Sequence, residues 1–448
     1  MKHLRSRVAI ATVLLIAIAA CGRSDDSSST DTTGGSTQTT TGGSLLGEGG
    51  FGDLKKVCQD GDAKGATATG VTDTEIHIAT ITDKGGVVAG LNKEMFDSAT
   101  AFTKWCNEHG GVLGRKLVLD DADAKLFEYE AAVTTACSKD FAVTGGGAVF
   151  DEDPNGVRVK CGMPSIPGYV VSKPARSADL QVQPIPNPTD HINVGRYEAV
   201  KRDYPDDIAH YGVMTGATPA TQLVRDQLVS AAKQRGFTVD YNVEFAVAGE
   251  TGWDNFANQI KAKGIKILEF VGQPADLVSL DKAFQTAGYR PDVVLLSTNY
   301  YDSSYLAESK GIAGNVYIQS SFYPLELASD HQATQDYLDL MKQYNPSGKI
   351  AQLGQQGLSA LLLFTVAATQ CGSDLTAACL LEKAAAQKDW TGGGLHAAQT
   401  PGNTDPGPCT LIITIKDDAF VYDKEATAPT HGDGEFNCDP ENVSDVSG

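Results

Sequence analysis

Phe102-Thr-Lys-Trp-Cys-Asn-Glu-His-Gly-Gly-Val-Leu-Gly-Arg-Lys-Leu-Val-Leu119 shows how the folded part of the chain is built. Phe102, Trp105, Cys106 and His109 recur at three- and four-residue spacing, the period of one buried helix face, so a helix is predicted over Lys93 to His109. Gly110-Gly111 ends it, because glycine takes the left-handed cap conformation at no steric cost. Arg115 to Leu119 then reads as a strand. On the N-terminal side, Glu75-Ile-His-Ile-Ala-Thr-Ile81 is another strand. On the C-terminal side come a helix over Leu126 to Lys139 and the strand Phe141 to Thr144, which runs into Gly145-Gly-Gly147. A short helix near Cys161 and a strand from Pro164 to Val170 complete the series.

The pattern then starts again. Strands are expected at Ile208 to Met214, Phe237 to Phe245, Ile265 to Val271 and Asp292 to Ser297. Helices are expected between them at Ala220 to Arg235, Trp253 to Lys263 and Ala275 to Ala287. Strands alternating with helices imply parallel sheets covered on both faces. Gln183-Pro-Ile-Pro-Asn-Pro-Thr-Asp190 separates the two series. Three prolines at alternate positions exclude helix and mark a crossover between lobes. Helices near Gln332 to Gln343, Gly354 to Gln370 and Leu375 to Ala386 follow, then a strand from Thr410 to Lys416; Gly392-Gly-Gly394 reads as a further crossover.

The N-terminus reads as an address. Lys2, Arg5 and Arg7 precede an apolar run from Val8 to Ala20, too short to span a bilayer but suited to a signal-peptide core. Residues 1–20 are therefore expected to be removed. Ile18-Ala-Ala-Cys21 resembles a bacterial lipobox, which makes Cys21 the expected lipidation site and the mature N-terminus. Two acyl chains hold a protein on a membrane without a spanning helix. Residues 21–52 are rich in Ser, Thr, Gly and Asp, and read as a flexible tether.

The 448 residues carry 36 basic and 56 acidic side chains, a net charge of −20. Nucleic acid is thereby excluded as the main partner, since phosphate binding needs basic surface. The eight histidines form no sequence cluster, so no metal and no cofactor are expected. Without Cys21, eight cysteines remain, an even number in an exported chain. None shows C-x-x-C spacing. Of the 105 possible pairings, the preferred set is Cys58–Cys106, Cys137–Cys161, Cys371–Cys379 and Cys409–Cys438.

Asn107 to Leu119, with Asp120-Asp121 after it, resembles the segment after the first helix of type I periplasmic binding proteins of the branched-chain amino-acid class. Lys266 to Val271, Gly272-Gln-Pro-Ala275 and the helix ending Ala287-Gly-Tyr-Arg290 resemble the second lobe of that family. The resemblance spans roughly Gly70 to Asp423. The cysteines and Gly61-Asp-Ala-Lys-Gly-Ala66 are similar to lipoprotein versions found in actinobacteria. It implies an α/β fold of two Rossmann-like lobes with parallel sheets, joined by three crossovers. Lobe 1 is expected from 53–185 and 323–395, lobe 2 from 186–322 and 396–425, and a disulfide-tied tail from 426–448. It also implies a small-molecule solute held between the lobes and delivered to the permease of an ABC importer.

Ligands of parallel sheets sit beyond the carboxyl ends of the strands. This places Phe150, Asp151, Gly168, Tyr169, Thr218, Gln273, Asn299 and Tyr300 as the candidate ligand-binding residues. The amino-acid site of the family does not transfer to them. Phe150-Asp-Glu-Asp153 stands where relatives hold a carboxylate with Ser or Thr, and Asn299 stands where they hold an ammonium. The expected solute is neutral or cationic, or has an apolar body. No nucleophile elbow, phosphate loop or H-E-x-x-H is present; Gly357-Leu-Ser-Ala-Leu361 misses the elbow. The chain is thus expected not to be an enzyme. A ligand-sensing receptor of the same fold and an exported enzyme are the alternatives. If Cys21 is the anchor, Cys21→Ser should move the protein from the membrane fraction to the soluble fraction and leave solute binding intact; fractionation and a binding assay check both halves.

Overall fold

The computed structural model describes residues 43–403, 405–430 and 434–447. The leader, Cys21 and the tether up to residue 42 lie outside the described residues. The tether expected to reach residue 52 overlaps the folded lobe. Phe51 is fully buried in the lobe 1 core, and the Trp105 indole donates to the Leu46 carbonyl at 3.0 Å. The sparse apolar residues Leu45, Leu46 and Phe51 carried that signal within a Gly-rich context.

Lobe 1 has a four-stranded sheet of β1 (Glu75–Thr82), β2 (Lys116–Asp123), β3 (Ala142–Thr144) and β4 (Ser165–Ile166), ordered β2-β1-β3-β4 and parallel throughout. Alternation along β1 serves two cores. Ile76 and Ile78 face Phe102, Trp105 and the apolar helix Gln352–Cys371, whereas Ala79 and Ile81 face Val133 and Ala136 of the helix Tyr129–Cys137. Both faces are covered, as a parallel sheet requires.

After the proline crossover, β5 (His191–Asn193) leads into lobe 2. Its main sheet contains β6 (Tyr211–Gly216), β7 (Val239–Phe245), β8 (Ile267–Val271), β9 (Val293–Leu296), β10 (Val316–Ser320), β11 (Leu411–Lys416) and β12 (Ala419–Tyr422), ordered β12-β11-β10-β9-β8-β6-β7. The β7-β6-β8-β9-β10 part is parallel. β10 and β12 were not expected from the sequence. β11 runs antiparallel to β10 and turns into β12 through Asp417-Asp418, both at positive φ, the conformation of a two-residue hairpin. Beneath β8, Arg196 and Glu269 form a buried ion pair at 2.7 Å, and the Tyr211 hydroxyl donates to the same carboxylate.

The chain passes from lobe 1 to lobe 2 near 183–190, returns near 320–324 and crosses again near 395–409. The second and third passes pair through Phe322 and His396. Gly392-Gly-Gly394 lies in lobe 1 just before the third pass, where the Gly393 carbonyl accepts from the Asp53 N–H. The tail belongs to lobe 2. β13 (Val443–Asp445) pairs with β5, and Asn442 Nδ2 donates to the Pro408 carbonyl. All four preferred disulfides are present.

His396 is buried at the crossovers. Nε2 lies 2.8 Å from Ser359 Oγ, and Nδ1 lies 2.8 Å from the Ala397 carbonyl. Burial pushes its pKa down from 6.5 to about 4. Between these values the unfolded chain binds a proton that the folded chain does not, so stability is lost as pH falls through that window. Going from pH 7 to pH 5 should cost about 2 kcal/mol through this residue alone. The difference in unfolding free energy between wild type and His396→Asn should shrink by that amount at pH 5; a pH-independent difference would show that His396 is not held neutral.

Candidate functional site

The carboxyl ends of β1, β4, β6, β8 and β9 open onto one cleft between the lobes, a cavity of about 480 Å³. That volume suits a small organic ligand. Lobe 1 contributes the loop after β1, the segment after β4 and the start of the helix Gln352–Cys371. Lobe 2 contributes the first turns of the helices Pro219–Gln234 and Pro274–Ala287 and the loop after β9. Aliphatic side chains dominate the wall: Leu91, Val171, Val224, Val247, Val271 and Leu353.

Four of the eight expected site residues line this cleft. Tyr169 comes from lobe 1, and its hydroxyl accepts from Asn92 Nδ2 at 2.6 Å. Its ring packs so close to Gly147 that a Cβ there would fall 2.5 Å from it, which explains a glycine after β3. Thr218 caps the helix Pro219–Gln234 by accepting from the Thr221 N–H. The Gln273 N–H donates to Asp276 Oδ2 at the start of the next helix. Asn299 braces its loop, with Nδ2 donating to the Gly272 carbonyl and Oδ1 accepting from Ser297 Oγ.

The other four do not line it. Phe150 stacks on the exposed Phe127, with ring centroids 5.1 Å apart. Asp151 is buried and accepts from the Val171 and Ser172 N–H groups. Burial raises its pKa, against the opposing effect of those bonds. Asp153 likewise accepts from the Val157 and Arg158 N–H groups. Asp151 and Asp153 therefore brace backbone rather than repelling an anion from the cleft. Asp151, Asp153 and Arg158 line a separate cavity of about 260 Å³ inside lobe 1. Gly168 packs under the Met95 side chain. Tyr300 is fully buried against Phe270 and Tyr305; it is Tyr305 that reaches the cleft.

The main charged group of the cleft was not foreseen. Lys349, just before the helix Gln352–Cys371, places Nζ 3.1 Å from Glu94 of lobe 1 and 2.6 Å from Asp302 of lobe 2. Burial raises the Glu94 pKa, and Lys349 opposes that rise. Asp302 also bridges to Ala351 through the backbone. Asp276, on the opposite wall, is raised to about 6 by burial. Arg176 is the second cation, and burial lowers it to about 10. No pattern in the sequence marked either residue: Lys349 lies in a connecting segment, and Arg176 ends a four-residue helix too short to show a period.

No metal site was expected from the sequence. Among the described residues, His77, Asp120 and Asp140 come together near the amino ends of β1 and β3, away from the cleft. Lys139 already pairs with Asp120 there. No described helix is long and apolar enough to cross a membrane.

Residues 199–419 match the family model described as "Periplasmic binding protein". The leucine-binding protein LivK of Thermotoga maritima superposes with a TM-score of 0.63 at 13% identity, over 78% of this chain and 97% of that one. A fatty acid ABC transporter substrate-binding protein from Thermomonospora curvata gives 0.66 at 16% identity, over 83% and 96%. The branched-chain amino acid transporter substrate-binding protein LivJ of Streptococcus pneumoniae, solved with isoleucine, gives 0.60 at 15%, over 78% and 100%. Among the curated proteins none matches this sequence. The fold is that of the type I periplasmic binding proteins, an α/β architecture with parallel sheets.

Removing Lys349 leaves two carboxylates facing each other with little solvent. Lys349→Met should cost about 3 kcal/mol in urea unfolding and enlarge the solute-free radius of gyration. Adding Glu94→Gln and Asp302→Asn should recover most of the loss. A cost below about 0.5 kcal/mol would mark the contact as an ordinary solvated pair.

Proposed function

We propose that the protein is an extracytoplasmic solute-binding lipoprotein, anchored through Cys21, that captures a small molecule between its lobes and hands it to an ABC importer. One observation carries this reading: a largely aliphatic cleft between two lobes, each contributing strand ends and loops, with three crossovers as the hinge. A ligand touching both walls stabilises the closed arrangement over an open one, and that difference is what couples binding to domain movement. The permease would read the closed form. The four cystine bridges suit an oxidising compartment. The names of the similar structures differ in solute, leucine, fatty acid and isoleucine, so they support solute binding without fixing the solute.

The exported-enzyme alternative gains nothing from the one Ser–His contact at the crossovers. Ser359 and His396 are 0% and 1% exposed, so no substrate reaches them. Ser359 Oγ also accepts from the Trp390 indole. The pair is a buried hydrogen-bond network, not a nucleophile and base.

Protein purified from its own cells should show a retained small molecule in a native mass spectrum. Adding that molecule at 100 times Kd should stabilise the fold by about 2.7 kcal/mol and shrink the radius of gyration in solution scattering. Chemical turnover of the molecule would overturn the binding-protein reading.

A further inference from the structure

The two cations of the cleft differ in one respect. Lys349 is matched by Glu94 and Asp302. Arg176 is held by neutral acceptors: Nε donates to the Val171 carbonyl at 2.8 Å, and Nη1 donates to the Pro188 carbonyl and to Gln227 Oε1, each at 3.1 Å. Its Nη2 finds no acceptor among the described residues. The one carboxylate acting on it is that of Asp151, whose two oxygens are already taken by the Val171 and Ser172 N–H groups. A guanidinium stays charged at any physiological pH. Half-buried and without a paired anion, it leaves one face for a ligand of opposite charge, and the contents of the cleft it lines are what can supply that anion.

Its surroundings define the rest of the ligand. Gln227, which holds Arg176, lies one helical turn after Val224, and Val224 lines the cleft. The wall then continues through Val247, Val271 and Leu353. We infer that the solute is a monocarboxylate with an aliphatic body, its carboxylate on Arg176 and its chain along these valines and Leu353. The inference rests on the solute-binding reading above and names its substrate class. Of the three expected kinds of solute it keeps the apolar body and replaces the neutral or cationic head, because Asp151 and Asp153, on which that expectation rested, are taken up by backbone N–H groups. Arg176 belongs to lobe 1, whereas Gln227 belongs to lobe 2. An anion at Arg176 thus engages the hinge itself.

The test compares octanoate, octanamide, octylamine and leucine by calorimetric titration of the full-length protein, stripped of retained ligand. Octanoate should bind saturably. Octanamide, which keeps the chain and loses the charge, should bind at least about tenfold more weakly, and octylamine should not bind. Arg176→Gln should reduce octanoate affinity to that of octanamide, leaving octanamide unchanged; Arg176→Lys should fall between. The acid–amide comparison on wild type decides the matter even if the variants fold poorly. Equal binding of acid and amide, or preference for octylamine or leucine, overturns the carboxylate assignment while leaving the solute-binding reading intact. If none of the four binds, the molecule retained in the native mass spectrum decides. A retained aliphatic carboxylate supports the inference, and a neutral or cationic one overturns it alone. Absence of any ligand by both methods overturns it together with the solute-binding reading.

Discussion

Lys349 is the point at which the two lobes become one structure. Covalently they are joined only by three extended passes of chain, which permit a hinge. Across the cleft, the Lys349 ammonium lies between a carboxylate from each lobe, both nearly withdrawn from solvent. The geometry also depends on what holds the lysine. The Lys349 N–H donates to Asp97, Asp97 pairs with Lys93 one turn before it, and Glu94 projects from the same helix. A polar chain thus runs from the first helix of lobe 1 to the helix start at Asp302 in lobe 2. Because a buried ion pair tolerates little displacement before its cost rises, the contact favours one separation of the lobes.

The hinge is built from different chemistry. Phe322 and His396 pair where two passes run side by side, and the neutral imidazole is sealed by Ser359, Trp390 and a carbonyl. The first pass is held by Arg176, which donates to the Pro188 carbonyl. One flank of the hinge is therefore an uncharged, buried network, and the other is a cation that lines the cleft. On the proposed function, closure would respond to a ligand on the second flank without disturbing the first.

Most of the fold was legible because burial imposes a period. The helix Trp253–Lys263 is read from spacing, since one of its faces meets a core, and the strand ending at Val271 from a short apolar run, since both of its faces are covered. The missed strand Val316-Tyr-Ile-Gln-Ser320 has the β-branched and aromatic composition of its class, and its hairpin neighbour carries the Asp-Asp turn. The site was less legible because sequence places a residue near a strand end without saying where its side chain goes. Tyr300 and Tyr305 look equivalent in the sequence and both are buried in one core, yet of the two Tyr305 alone borders the cleft. Asp151 and Asp153 look like free charge until the backbone N–H groups that consume them are in place. Arg176 looked like one more surface base, and only the fold brings Pro188 and Gln227 to it.

Net charge and local charge pull in opposite directions in this molecule. A chain of net charge −20 repels an approaching carboxylate at long range, and salt screens that repulsion within about 10 Å at 0.1 M. Capture of an anion therefore cannot rely on steering. It has to come from contact, where a guanidinium in a water-poor cleft is worth far more than the same group on the surface. Aliphatic walls serve that end twice. They bury the body of the solute, and they exclude the water that would otherwise weaken the pairing at Arg176. On the proposed assignment, an acidic surface around one unmatched cation in the cleft admits a ligand of opposite charge only when its apolar part fits as well, so selectivity arises from the two requirements together.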